Sequence, residues 1–220
     1  MKSPRGKLPY IRIHKEDSSD SQLISDSTLI TETLVRNGML NDLNSGLSPV
    51  EKAQDAAVRA LLEDKLYFYQ VDMSISTQVH ERWVENYYVM RSNTFAAVPY
   101  PMQVVIGLLA YRKMAQSLYG QGTGRFSIEE IKSFRREAWE HINALLNESR
   151  RSASDKDAAF WVLGGKQPSE ADATLFGFIA SANVCLAGPD SMKLVKSFPT
   201  VMDYARRIYN NYFPDYAGWH

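Results

Sequence analysis

The chain has 220 residues, of which 45% are hydrophobic and 23% are charged, enough for one large domain or two small domains with cores of their own. Its 25 basic residues balance 25 acidic ones, which argues against a general attraction to nucleic acid or anionic lipid. A single cysteine, Cys185, excludes an internal disulfide framework and fits a reducing compartment. The longest apolar run, at residues 102–110, is far below the ~20 residues that span a bilayer, and residues 1–6 lack the apolar segment of a secretory signal.

The first predicted element is a β-hairpin. Apolar and polar residues alternate at residues 10–13, which is typical of a half-buried strand, and the polar run at residues 14–20 predicts a surface turn. Residues 22–24 return as the partner strand. From Ser25 the apolar spacing predicts a helix that ends near Gly38, a common helix stop. The chain therefore opens with a β-β-α segment.

Two short stretches at the ends of this hairpin have the features of a binding site. Leu8 and Pro9 lead into the first strand, where an X-Pro bond can persist in the cis form and leave the Leu8 backbone N–H and C=O turned outward to pair with an extended peptide. Asp26 and Ser27 stand at the predicted helix start, where free N–H groups attract a carboxylate and Asp26 would hold an ammonium group. The residues alone also allow a purely structural interpretation, in which Pro9 shapes a turn and Ser25 caps the helix.

The remaining chain is predicted to be helical. Residues 41–47 form a polar linker, and helix starts follow at Ser48, Ser127 and Ser169, each with an acidic residue three positions later in the manner of a capping box. The helix after Ser169 is apolar on most faces, which predicts a position in the middle of a bundle. The glycine run at residues 120–124 lacks the Lys-Ser/Thr pair of a phosphate loop and is interpreted as a helix connection.

These pieces, taken in order, resemble the glutathione S-transferase superfamily, and more narrowly its failed-axon-connections and metaxin-like branch. The first part resembles the second half of the thioredoxin-like domain, through Ser3-Pro4-Arg5-Gly6-Lys7-Leu8-Pro9-Tyr10-Ile11 and Ile24-Ser25-Asp26-Ser27. Later residues are similar to the folding-nucleus motif of the C-terminal domain and to the last helix of this branch: Gly165, Pro168, Ser169, Ala171, Asp172, Phe198 and Pro199. The likeness is strongest at residues 3–13, 24–30 and 160–180.

The resemblance implies a mainly α fold in which a partial thioredoxin-like β-β-α segment precedes an all-helical bundle of the transferase C-terminal type. We expect the thioredoxin-like part at residues 1–40, the linker at 41–47 and the helical domain at 48–220. The first strand, helix and second strand of the thioredoxin-like half have no counterpart, so the start is interpreted as a truncated gene model, an alternative start or a degenerate paralogue. The family's thiol-activating residue lies in that part, and no catalytic residue is assigned.

The resemblance also implies a ligand and its contacts. Leu8, Pro9, Asp26 and Ser27 match the glutathione-binding positions of the family, in which the proline is cis and the acidic-Ser pair holds the glutamyl moiety. Two functions remain. In the first, the chain binds glutathione as a substrate and transfers its thiol to an apolar small molecule, as a cytoplasmic protein. In the second, it is a non-catalytic adaptor that acts through protein–protein contacts at the mitochondrial outer-membrane surface, as metaxin-like proteins do.

Further expectations concern the other candidate residues. The resemblance implies a homodimer. No metal site is expected, because the four histidines are scattered. No membrane span is expected, because the longest apolar run is too short. Asp172 is interpreted as structural and Cys185 as a buried apolar residue. An aromatic-rich patch is interpreted as core in preference to a cleft for the acceptor substrate: Trp83, Tyr87, Tyr88 and Met90.

Overall fold

The computed structural model describes residues 8–14, 21–70, 99–153, 155, 157–184 and 189–216. The chain divides into two compact units, Met1–Gly46 and Leu47–His220. The first contains strands and a helix, and the described part of the second is helical.

The first unit has the predicted β-β-α order. Strand β1 (Tyr10–His14) pairs antiparallel with β2 (Ser21–Ser25), with Tyr10 opposite Ser25. Helix α1 (Ser27–Arg36) follows and ends where Gly38 takes a φ of 68°. The N–H groups of Gly38 and of the next residue donate to carbonyls of the last helical turn, which is a Schellman motif. Local turn chemistry therefore places the helix end where the sequence predicted it.

The second unit opens with helix α2 (Pro49–Ala60), which continues into a π-helical segment (Leu61–Leu66). The later elements are α3 (Tyr100–Gln121), a 3₁₀ turn (Thr123–Arg125), α4 (Ile128–Ser152), α5 (Glu170–Val184), α6 (Pro189–Lys196) and α7 (Pro199–Tyr212). Two of the three predicted capping boxes form at the starts of α2 and α4, from Ser48 with Glu51 and from Ser127 with Glu130. Of the helices that the structure describes, none is long and apolar enough to cross a membrane.

Helix α5 lies at the centre of the hydrophobic core of the second unit, as its apolar faces predicted. It contacts α2, α6 and α7. The core includes fully buried residues from the π-helical segment and from α4, α5 and α7: Leu62, Trp139, Ile142, Leu146, Leu175, Ile179, Val201 and Tyr204. The mainly helical architecture expected from the sequence is therefore confirmed.

Two carboxylates fix the start of α5. Asp172 is buried and accepts hydrogen bonds from Val162, Ser169 and Tyr204. Asp55, on α2, is also buried and accepts a hydrogen bond from the Ala171 N–H at 2.8 Å. Asp172 thus has the structural role that the sequence indicated, whereas the contribution of Asp55 comes from a distant part of the chain.

The buried stripes of α2 and α4 do not follow from residue polarity alone. The apolar Val50 at the start of α2 is exposed, whereas the polar Asp55 on the same helix is buried. On α4, Leu145 is 41% exposed while the adjacent Leu146 is fully buried. Successive helical residues are about 100° apart, so only one of two neighbouring leucines can face the core.

Candidate functional site

The four predicted ligand-binding residues meet at one end of the hairpin. Tyr10 pairs with Ser25, so the residues just before β1 and just after β2 lie side by side. The Asp26 backbone N–H donates a hydrogen bond to the Pro9 carbonyl oxygen at 3.1 Å. The sheet register therefore brings Leu8 and Pro9 next to Asp26 and Ser27, although 16 residues separate Pro9 from Asp26 along the chain.

The segment before β1 is accessible. The Leu8–Pro9 peptide bond is cis. The Leu8 side chain is 79% exposed, and Pro9 is exposed as well. A ligand can therefore approach the Leu8 backbone from solvent.

Asp26 forms the N-cap of α1. Its side-chain Oδ1 accepts a hydrogen bond from the Thr28 N–H at 3.2 Å. Its φ of 90° lies in a region that few residues other than glycine adopt, although aspartate is among those enriched there. Non-glycine residues persist in such conformations only where surrounding contacts compensate the cost, and they are found most often at active sites and ligand sites.

Asp26 is half-buried and Ser27 is exposed, at the end of the helix where the dipole is positive. The first N–H groups of a helix have no partner within the helix, so this end can bind an anion. The carboxylate of Asp26 adds a negative charge beside those donors. The arrangement can thus hold a carboxylate and an ammonium group side by side, as in a zwitterionic amino acid.

Ser25 is placed differently from the structural interpretation of the sequence. Asp26, not Ser25, caps α1. Ser25 is the last residue of β2, and its side chain is buried. Ser25 is 3% exposed, and its Oγ has no hydrogen-bond partner in the described part of the chain. The interpretation of Ser25 as the cap is therefore wrong.

The other candidate residues named from the sequence either lie outside the described residues or lie apart from one another. Cys185, His80, His220 and the aromatic patch of Trp83, Tyr87, Tyr88 and Met90 lie outside the described residues. His14 and His141 are exposed and lie in different units. In the ranges that the structure describes, no three His, Cys, Asp or Glu residues come together as a metal site.

Sequence reasoning missed the positive φ of Asp26 and the burial of Arg135 on α4. An aspartate at a helix start ordinarily has extended backbone, so no sequence signal separates the two conformations. For Arg135 a signal existed: it is four residues after Ile131 and four before Trp139, on the stripe that the helix buries.

Comparison with known proteins matches the region that contains the site. Residues 1–87 match the sequence model of the glutathione S-transferase N-terminal domain. Human Metaxin-2 is 20% identical over 217 residues, which cover 97% of this chain and 72% of that protein. Mouse Metaxin-2 is 20% identical over 219 residues, which cover 98% of this chain and 73% of that protein. The likeness therefore extends over both units.

Proposed function

From the match of residues 1–87 to the glutathione S-transferase N-terminal domain and the likeness to Metaxin-2, we propose that the chain is a metaxin-like protein of the glutathione S-transferase superfamily and that the junction of β1, β2 and α1 binds glutathione. The observation that carries the proposal is the 3.1 Å hydrogen bond from the Asp26 N–H to the Pro9 carbonyl, which joins the two halves of the site. Without it, a peptide-like edge and a helix N-terminus would be separate features.

Each part of the ligand has a matching group. The N–H and C=O of Leu8 pair with the peptide backbone of glutathione in the manner of an added strand. The glutamyl carboxylate lies at the start of α1, near the Ser27 hydroxyl, and the glutamyl ammonium donates to the Asp26 carboxylate. A carboxylate has about four acceptor positions, so Asp26 can accept from an ammonium in addition to the Thr28 N–H.

The proposal concerns binding of glutathione. Transfer of its thiol to an apolar electrophile requires a group that favours the thiolate, since the thiolate is the nucleophile. None of the residues described at the junction is assigned that role. Transfer activity is therefore tested only after binding is established.

A thermal melt of the full chain with and without millimolar glutathione tests the proposal. A ligand that binds only the folded state raises the melting temperature, and at 100 times Kd it adds about 2.7 kcal/mol to the free energy of unfolding. Asp26→Asn should abolish the increase, because it removes the charge that faces the ammonium while keeping an acceptor for Thr28. Cysteinylglycine, which lacks the glutamyl group, should give no increase.

Asp42→Asn is the matched control, because Asp42 is an exposed aspartate of the same unit that accepts from the N–H two residues later, as Asp26 does. It should leave the glutathione effect unchanged. A melting temperature indifferent to glutathione in the unsubstituted chain would reject the proposal, and so would an increase that survives in Asp26→Asn.

Rejection would favour the second candidate function, a non-catalytic adaptor that acts through protein–protein contacts. The specific support is the likeness to Metaxin-2 across both units, together with apolar residues of α3 that are at least half exposed: Met102, Val105, Leu108 and Leu109. Exposed apolar residues grouped on one element are a common feature of interaction surfaces. For this function we propose the mitochondrial outer-membrane surface as the location, and the cytoplasm for the glutathione-binding protein.

A further inference from the structure

Arg135 occupies a position in α4 that an apolar residue would ordinarily fill. It lies on the same stripe as Ile131 and Trp139 and is only 5% exposed. Burial of a guanidinium is costly unless charge or hydrogen bonds compensate it. The groups around Arg135 therefore show how far its charge is compensated.

The protein compensates this charge only in part. Nη1 of Arg135 donates to the Ser191 Oγ on α6 at 2.9 Å, while Nε is buried and has no acceptor within the described ranges. Desolvation lowers the pKa of Arg135; the negative charge of Asp190 acts against this, and Arg136 lowers the pKa further. An arginine remains charged even so, because the guanidinium does not lose its proton in proteins. The described contacts thus compensate the charge of Arg135 only in part, and Arg135 forms part of the wall of a groove.

An open groove of about 630 Å³ lies there, between the first half of α4 and α6. Four cationic and two acidic side chains line it: Lys132, Arg135, Arg136, Lys193, Glu129 and Asp190. Glu129 is paired with Lys132 at 2.8 Å, and Leu194 is the single apolar residue in the lining that the structure describes. The groove is therefore polar and has an excess of two positive charges.

We propose that this groove binds a phosphate group. The planar guanidinium presents several N–H donors in a fixed arrangement that fits the oxygens of an oxyanion, and the neighbouring ammonium groups add point charges. The excess of two positive charges balances the negative charge of a phosphate monoester, which is about −1.5 to −2 at pH 7. The volume is in the range of small-molecule sites, so the phosphate belongs to a larger polar molecule, either a soluble phosphate ester or a phospholipid headgroup.

Calorimetric titration of the full chain with inorganic phosphate and with glycerol 3-phosphate, at ionic strength held constant with chloride, tests the proposal. The variant is Lys132→Gln with Lys193→Gln; Arg135 stays intact because its substitution would alter the core. Since a hydrogen bond to a charged group contributes about 1.5–3 kcal/mol, the variant should weaken binding at least about tenfold. The control is Lys65→Gln with Lys166→Gln, two exposed lysines outside the groove, which should bind as the unsubstituted chain does.

Co-sedimentation with vesicles separates the two sources of phosphate. Binding to phosphatidylcholine vesicles that contain phosphatidic acid, but not to pure phosphatidylcholine, and its loss in the groove variant would support a headgroup. Saturable binding of glycerol 3-phosphate with no sedimentation would support a soluble ester. Absence of saturable binding to every probe would overturn the proposal, as would equal affinities of the groove variant and the lysine control. Neither result depends on glutathione.

Discussion

Asp172 satisfies more donors than any neutral side chain of its size could. Its Oδ1 accepts from the Val162 N–H and the Tyr204 hydroxyl, and its Oδ2 accepts from both the N–H and the hydroxyl of Ser169. Desolvation raises the pKa of this carboxyl, and the same hydrogen bonds lower it in part. Burial also raises the pKa of Tyr204, and the nearby Asp172 carboxylate raises it further. The carboxylate of Asp172 thus links the loop before α5 to α7 through hydrogen bonds from Val162, Ser169 and Tyr204.

Asp172→Ala should lower the free energy of unfolding by about 3 kcal/mol, because it leaves several buried donors without acceptors. Asp172→Asn keeps the volume and one acceptor oxygen, and its loss should be smaller. Urea unfolding followed by tryptophan fluorescence measures both, since Trp139 and Trp161 are buried. Asp215→Ala, at an exposed aspartate, should change stability little. A loss below about 1 kcal/mol in Asp172→Ala would contradict the structural role.

At the scale of elements, α2 supplies part of the cap of α5. Oδ1 of Asp55 accepts from the Ala171 N–H, one of the groups that a helix start leaves without a partner in the helix. Oδ2 accepts from Arg59 at 2.8 Å, and Arg59 also contacts Glu170 at 3.1 Å. Helix α2 therefore fixes the start of α5 in two ways: Asp55 accepts a hydrogen bond from Ala171, and Arg59 forms an ion pair with Glu170.

Asp55→Ala should cost about 2–3 kcal/mol of unfolding free energy, since the Ala171 N–H would be buried without an acceptor. Asp55→Asn retains an oxygen for that N–H but loses the attraction to Arg59, so it should cost about half as much. Asp64→Ala is the control on the continuation of the same helix, where the aspartate is exposed. Equal losses in the Ala and Asn variants would show that the charge on Asp55, and not its bond to Ala171, is what stabilises the fold.

At the scale of the whole molecule, the two units differ in the size of their cores. In the described part of the first unit, the buried residues are Ile24, Ser25 and Ile30, whereas the described part of the second unit has a continuous core of twenty buried hydrophobic residues. A chain of fewer than about 50 residues with so small a core is close to the limit of independent stability. The homodimer implied by the superfamily remains a prediction.

We expect the amides of α1 to exchange with deuterium much faster than those of α5. Local opening requires less free energy where few apolar residues are buried, whereas opening of α5 disrupts the main core. Hydrogen exchange of the full chain, read by mass spectrometry at the peptide level, compares the two helices directly. Equal protection of α1 and α5 would indicate that contacts beyond the unit's own buried residues stabilise α1.

The sequence by itself determined the features of local structure that depend on residues close together in the chain. The alternation in β1, the Schellman stop at Gly38 and the capping boxes at Ser48 and Ser127 involve partners no more than five positions apart, so residue spacing encodes them. The confirmed resemblance to the transferase superfamily and the mainly helical fold rest on such local patterns in order. The glutathione-binding residues were named from that resemblance and remain a prediction.

Only the tertiary structure decided which polar groups are buried and which hydrogen-bond partners they have. Asp55 meets Ala171 116 positions later, and Arg135 meets Ser191 56 positions later. Helical spacing allows either of two adjacent residues to face inward, and the choice of Leu146 over Leu145 depends on the helices packed around α4. Periodicity reports the direction of a side chain on its own helix, whereas burial and hydrogen-bond partners depend on chain segments far away in sequence.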